Sequence, residues 1–144
     1  SGYIRRLDAE TERIKEIIIN YFSARYEFVA VFLFGSYADY KELPFSDVDI
    51  GIVIDSKDPD FAGEKRMLYL CELSRLIRKD VHPVMLNFAG EELLRQVFSK
   101  GTCLLVKDER KLAHFKTIAI SRIAEFGAYR KQMQAGFVRR VMEG

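Results

Sequence analysis

Two short stretches carry residue types that could do chemistry together. Phe34-Gly35-Ser36-Tyr37-Ala38 closes one apolar run, and Phe45-Ser46-Asp47-Val48-Asp49-Ile50 opens another. A glycine where a buried strand turns lets backbone N–H groups approach an anion, and Ser36 adds a hydroxyl at a helix N-terminus, so Gly35-Ser36 reads as a phosphate cradle. Asp47 and Asp49 lie two apart on an expected strand, so their carboxylates project from one face and repel unless a cation joins them. A hard divalent ion, Mg²⁺ above all, held by these carboxylates and by substrate phosphates would build a phosphoryl-transfer site. Taken singly, the glycine–serine step also reads as an ordinary turn, and the acid pair as two surface carboxylates on a solvated edge. An EF-hand loop does not fit, because the alternating Val48, Ile50 and Ile52 demand a strand rather than a ligand loop. Together the two features spell G-S-x10-D-x-D.

The elements that must position these residues follow from periodicity. Ile4, Leu7, Ile14, Ile17, Ile18, Tyr21 and Phe22 recur at helical spacing, which predicts a helix over about 4–25. Phe28 to Phe34 is a continuous apolar and β-branched run, the pattern of a central strand covered on both faces. Residues 36–43 predict a short helix closed by Pro44, and 46–55 a second strand whose alternation gives it two distinct faces. Asp58-Pro59-Asp60 starts a helix that runs to about Arg78; Val81–Asn87 is a third strand, which Pro83 confines to an edge or to its own first residues. Gly90-Glu91-Glu92 opens a short helix ending near Gly101, a C′ glycine by type, and Thr102–Lys107 is a fourth strand. From Asp108 the apolar positions predict one long or broken helix, with Gly127 and Gly136 as weak points. The fold class is α/β, a small mixed sheet with helices.

Composition narrows the partners. Over 144 residues, 49% hydrophobic and 31% charged, one domain over 1–144 with one soluble core is expected. No apolar stretch reaches the roughly 18–20 residues of a membrane span, and the charged N-terminus is no signal peptide. Cys71 and Cys103 sit in apolar runs and read as buried hydrophobes in a reducing compartment, which favours the cytoplasm. The net charge of +2 is uneven: Arg110, Lys111, Lys116, Arg122, Arg130, Lys131, Arg139 and Arg140 face a single acid, Glu125, between positions 110 and 140. With Phe115, Tyr129 and Phe137 this segment has the ingredients of a nucleic-acid surface, but helical core spacing favours packing on the sheet or on a partner protein over nucleic acid.

With both motifs in place, the chain resembles the nucleotidyltransferase superfamily of the DNA polymerase β type, and in size and order its minimal (MNT) members, often paired with HEPN partners. The resemblance covers roughly residues 4–107, leaving about 108–144 as a C-terminal helical extension. It implies that Gly35 and Ser36 hold a nucleoside triphosphate, expected to be ATP, and that Asp47 and Asp49 bind Mg²⁺. It further implies transfer of a nucleoside monophosphate to a hydroxyl acceptor on a partner protein, by an MNT-type antitoxin; the partner it implies is a HEPN-type protein, with a homo-oligomer as the other assembly. The alternative is a catalytically degenerate relative that only binds or masks its partner. Where the family often continues G-S-x-A-R-G, this chain has Asp39 and Tyr40. Where the family has a third carboxylate on the next strand, this chain has His82, in Val81-His82-Pro83-Val84. A neutral imidazole could accept the attacking hydroxyl's proton, which makes His82 the candidate catalytic base, with Asp80 as the second candidate.

Overall fold

A computed structural model describes residues 2–37 and 46–143. The elements, in chain order, are α1 (Gly2–Ser23), β1 (Phe28–Phe34), a 3₁₀ turn (Gly35–Tyr37), β2 (Val48–Ile54), α2 (Pro59–Ile77) and β3 (Val81–Met85). A second 3₁₀ turn (Leu86–Phe88), α3 (Glu91–Lys100), β4 (Thr102–Val106) and α4 (Glu109–Glu143) complete them. The four strands form one mixed sheet in the order β3-β2-β1-β4. β1 runs antiparallel to β2 and β4, while β2 and β3 are parallel.

Every residue of β1 is buried, because the sheet is covered on both sides. On one face Val31 and Leu33 meet Ile14, Ile18 and Phe22 of α1 and Tyr69, Leu73 and Ile77 of α2. On the other, Phe32 and Phe34 meet Leu94 and Val97 of α3 and Leu112 and Ala119 of α4. β2 shares this double cover, so the expected contrast between its two faces does not occur: six of its seven residues are buried and only Asp49 is half-exposed. The helices are set by local chemistry. The Asp58 side chain accepts the Asp60 N–H at the start of α2, Pro59 fills its first position, and Arg78 closes it in the left-handed conformation at φ 63°. β3 lies at the sheet edge, as Pro83 requires, and Arg66 of α2 donates to the Pro83 carbonyl at 3.0 Å. Asn87 extends the sheet's hydrogen bonding by accepting from and donating to the backbone of Ile54.

Some expectations need correction. Gly101 caps α3 in extended conformation, φ −75° and ψ 161°, rather than as a left-handed C′ residue; its lack of a side chain matters because a Cβ would collide with the Val97 carbonyl oxygen. Cys71 and Cys103 are both exposed. Cys71 falls out of phase with Leu73 on α2, and Cys103 lies on the other edge strand, so apolar neighbours in sequence do not bury them. α4 is continuous through Gly127 and Gly136. Its first half packs, with Phe115 edge-on to Phe98 at 6.1 Å, and two of its cations are paired at home: Lys111 with Asp55 at 2.8 Å and Arg122 with Glu91 at 3.0 Å. Ile120 and Phe126 are exposed. The side chains of Tyr129 and Phe137, and the predicted helix beyond Tyr37, lie outside the described residues. Among the described residues no helix is long and apolar enough to cross a membrane.

Candidate functional site

The candidate residues meet at the ends of three adjacent strands. β1 finishes at Phe34, and Gly35 reverses the chain at φ 71°, a region that a side chain makes costly. The space a Cβ would take at Gly35 is already filled by the Asp49 carboxylate oxygen Oδ2. Phe34 is the register partner of Asp49, which is why the carboxylate lies over this glycine. Two independent constraints therefore exclude any side chain at this position. Ser36 follows, half-buried, and Tyr37 is buried to 1% exposure in the α1–α2 core. The Tyr37 hydroxyl donates to the Ser46 carbonyl at 3.5 Å, which ties the turn to the chain entering β2. Sequence reasoning passed over Tyr37; its only local signal is a large aromatic directly behind the glycine–serine turn. Asp39 and Tyr40 lie outside the described residues.

On the other side of Asp49, the parallel register places His82 of β3 directly opposite. Its Nδ1 stands 3.3 Å from Asp49 Oδ1. The imidazole is largely exposed, at 55% of its side-chain surface, against 27% for Asp49. Burial pushes the Asp49 carboxyl above its ordinary value; the hydrogen bond and charge of His82 offset this in part, and the charge of Asp47 adds to it. Asp47 is exposed and sits one residue ahead of β2 instead of within it, so it reaches the site from the approach segment. That segment is fixed by the Val48 N–H, which donates to the Asp80 carbonyl at 2.9 Å. Asp80 thus contributes its backbone; its side chain is exposed ahead of β3. The structure brings Gly35, Asp49 and His82 together, with Ser36 and Asp47 flanking them.

What the arrangement can do follows from its charges. A half-buried carboxylate is held above its ordinary pKa, a second acid adds to its load, and a left-handed glycine presents backbone against it. A divalent ion would relieve the repulsion, and the donor set of Asp47 and Asp49 is the oxygen chemistry that such an ion takes. Among the described residues, no three His, Cys, Asp or Glu side chains are gathered as a metal site of their own. Carboxylate oxygens in this number suit a hard divalent ion that also takes phosphate oxygens. Beside His82 an open groove of about 540 Å³ runs along the β3 edge, walled by Ala62 and Gly63 of α2, Pro83 and Met85 of β3, and Phe88.

Residues 16–110 match the family described as Polymerase beta, Nucleotidyltransferase. No curated protein sequence matches the chain. Among solved structures, a toxin–antitoxin with AMP-PNP is similar at TM-score 0.63 and 23% identity, over 89% of this chain and 96% of that one. A complex of a tri-AMPylated Shewanella oneidensis HEPN toxin with its MNT antitoxin is similar at TM-score 0.62 and 22% identity, over 92% of this chain and 98% of that one. The toxin–antitoxin MntA–HepT is similar at TM-score 0.59 and 22% identity, over 90% and 97%. At these identities the likeness to the solved structures is one of fold.

Proposed function

Since the chain belongs to the polymerase beta nucleotidyltransferase family, we propose that it transfers a nucleoside monophosphate from a nucleoside triphosphate, ATP first, to a hydroxyl on a HEPN-type partner protein, in the manner of an MNT antitoxin. The observation that carries this reading is the Asp49 carboxylate lying where a Cβ of Gly35 would be, which joins phosphate cradle and acid pair into one site.

In this reading residues of about 4–107 carry the chemistry, and the helical segment 108–144 extends from it toward the partner. The left-handed turn at Gly35 and the Ser36 hydroxyl hold the β- and γ-phosphates, which orients the α-phosphorus toward Asp47 and Asp49. A divalent ion such as Mg²⁺, held by those two carboxylates, would supply charge neutralisation on the phosphate oxygens. The acceptor oxygen attacks the α-phosphorus in line, forming a new P–O bond as the bond to the β-phosphate oxygen breaks and pyrophosphate leaves. His82, exposed on the side away from the cradle, receives the acceptor's proton. Asp49 holds the imidazole in place through Nδ1. The exposed Ile120 and Phe126 of α4 are the contacts we assign to the partner.

The degenerate alternative, a partner-masking protein without transfer, draws support from the same His82. One experiment separates the two: incubation of the chain and its co-expressed partner with α-labelled ATP and a divalent ion. Covalent label on the partner, lost in Asp47→Asn, supports transfer; complex formation without label supports masking.

A further inference from the structure

We propose that this site works with one divalent ion, delivered with the nucleotide, in contrast to the pair of ions that a three-carboxylate site holds. The proposal rests on the nucleotidyl-transfer reading above and deepens it.

Asp49 stands between the cradle and β3. Its Oδ1 is turned to His82 Nδ1 at 3.3 Å, and its Oδ2 lies against Gly35, on the side of the phosphate cradle. The strand position beside it, set by the Asp49–His82 register, therefore carries an imidazole, which contributes no negative charge. Two divalent ions about 3.5–4 Å apart need anionic oxygens between them, because the repulsion of two doubly charged ions is fourfold that of two unit charges. Two carboxylates with substrate phosphates meet the needs of one such ion. Asp80 lies ahead of β3, outside the register that sets His82 against Asp49, and its side chain is exposed. Among the described residues no third His, Cys, Asp or Glu joins the pair as a metal ligand.

The consequence is a division of labour. On the cradle side Asp47 and Asp49 would hold the ion together with the nucleotide's phosphates. On the acceptor side the position beside Asp49 is occupied by the His82 imidazole, which supplies no anionic oxygen for a second ion.

The test counts Mn²⁺ bound to the full chain by electron paramagnetic resonance, with and without a non-hydrolysable triphosphate. One ion per chain is expected, appearing with the nucleotide, and His82→Asp, checked for folding by circular dichroism, should raise the count to two. Two ions in the wild type would overturn the proposal, and so would a folded His82→Asp variant that stays at one. If that variant does not fold, the wild-type count alone decides. Absence of any nucleotide-dependent ion would instead overturn the nucleotidyl-transfer reading beneath it.

Discussion

A partly buried carboxylate stands by each end of β1, Glu27 just ahead of it and Asp49 of β2 beside its last residue, and the protein treats the two in opposite ways. Just ahead of the strand, Glu27 accepts from Arg25 and from the Tyr69 hydroxyl at 2.9 Å, while the Arg25 guanidinium stacks over the rings of Tyr21 and Tyr69 at 5.1 and 5.5 Å. Burial alone would push Glu27 up, but the hydrogen bonds of Arg25, of its own backbone and of Tyr69, with the charge of Arg25, hold its carboxyl down at about 2. Burial, and then Glu27 itself, push the Tyr69 hydroxyl far above its ordinary value, and burial pushes Tyr21 up to about 12. At the other end, burial and Asp47 raise Asp49, with His82 as partial relief. Charge satisfied internally stabilises the fold; charge left short of partners is where a ligand is expected. The two poles thus separate stability from function.

The comparison can be broken at either pole. Asp49→Asn should lower nucleotide transfer by about 10³-fold, the scale for removing a group that organises transition-state charge, without lowering Tm, because the variant removes a carboxylate the folded state holds at a disadvantage. Kinetics with labelled ATP and a thermal melt check both halves. Glu27→Gln should do the reverse, costing about 2 kcal/mol of stability with the KM for nucleotide unchanged in the folded protein.

The same contrast appears in pH dependence. Glu27 is lowered from 4.5 to about 2, so its stabilising contribution is fully present above pH 4.5 and is lost as pH falls toward 2, by about 2 kcal/mol after solvent screening. Asp49 is raised, so its unfavourable ionisation is present at neutral pH and is relieved as pH falls through its folded value. Denaturation at pH 5 and pH 2.5 should show Glu27→Gln flattening the acid loss of stability, and Asp49→Asn leaving it in place.

Smaller effects sharpen the functional pole. His82→Ala should reduce transfer about 10²-fold, the range of general-base loss, with nucleotide affinity retained. Ser36→Ala should raise the KM for ATP about tenfold, the equivalent of one charge-assisted hydrogen bond, and leave kcat nearly unchanged. Steady-state kinetics distinguish the two.

Legibility in the sequence followed the range of the interaction. The β1 run, the Asp58-Pro59 start of α2 and the edge placement of β3 by Pro83 are local, and each element lies where the pattern puts it. The full burial of β2 depends on helices packed on both faces, which alternation within seven residues does not report. Asp47 stands just before the strand because pairing with β3 begins at Val48, a register that only the fold sets. The exposure of Cys71 and Cys103 has the same origin, helical phase and edge position overriding apolar neighbours. At the site, the glycine, the serine and the acids were legible as types at a spacing. Asp49 pressed onto Gly35, the His82 contact and the Tyr37 hydrogen bond join residues from separate strands and turns, as does the Tyr69–Glu27 link across 42 positions.

The most direct test of the central claim, that Gly35-Ser36 and Asp47-Asp49 form one electrostatic unit awaiting a metal-bound triphosphate, is calorimetric titration of the folded chain with a non-hydrolysable triphosphate in the presence and absence of Mg²⁺. Binding that requires the ion and vanishes in Asp49→Asn is the predicted result. Equal binding without the ion, or undiminished binding in the variant, would contradict it.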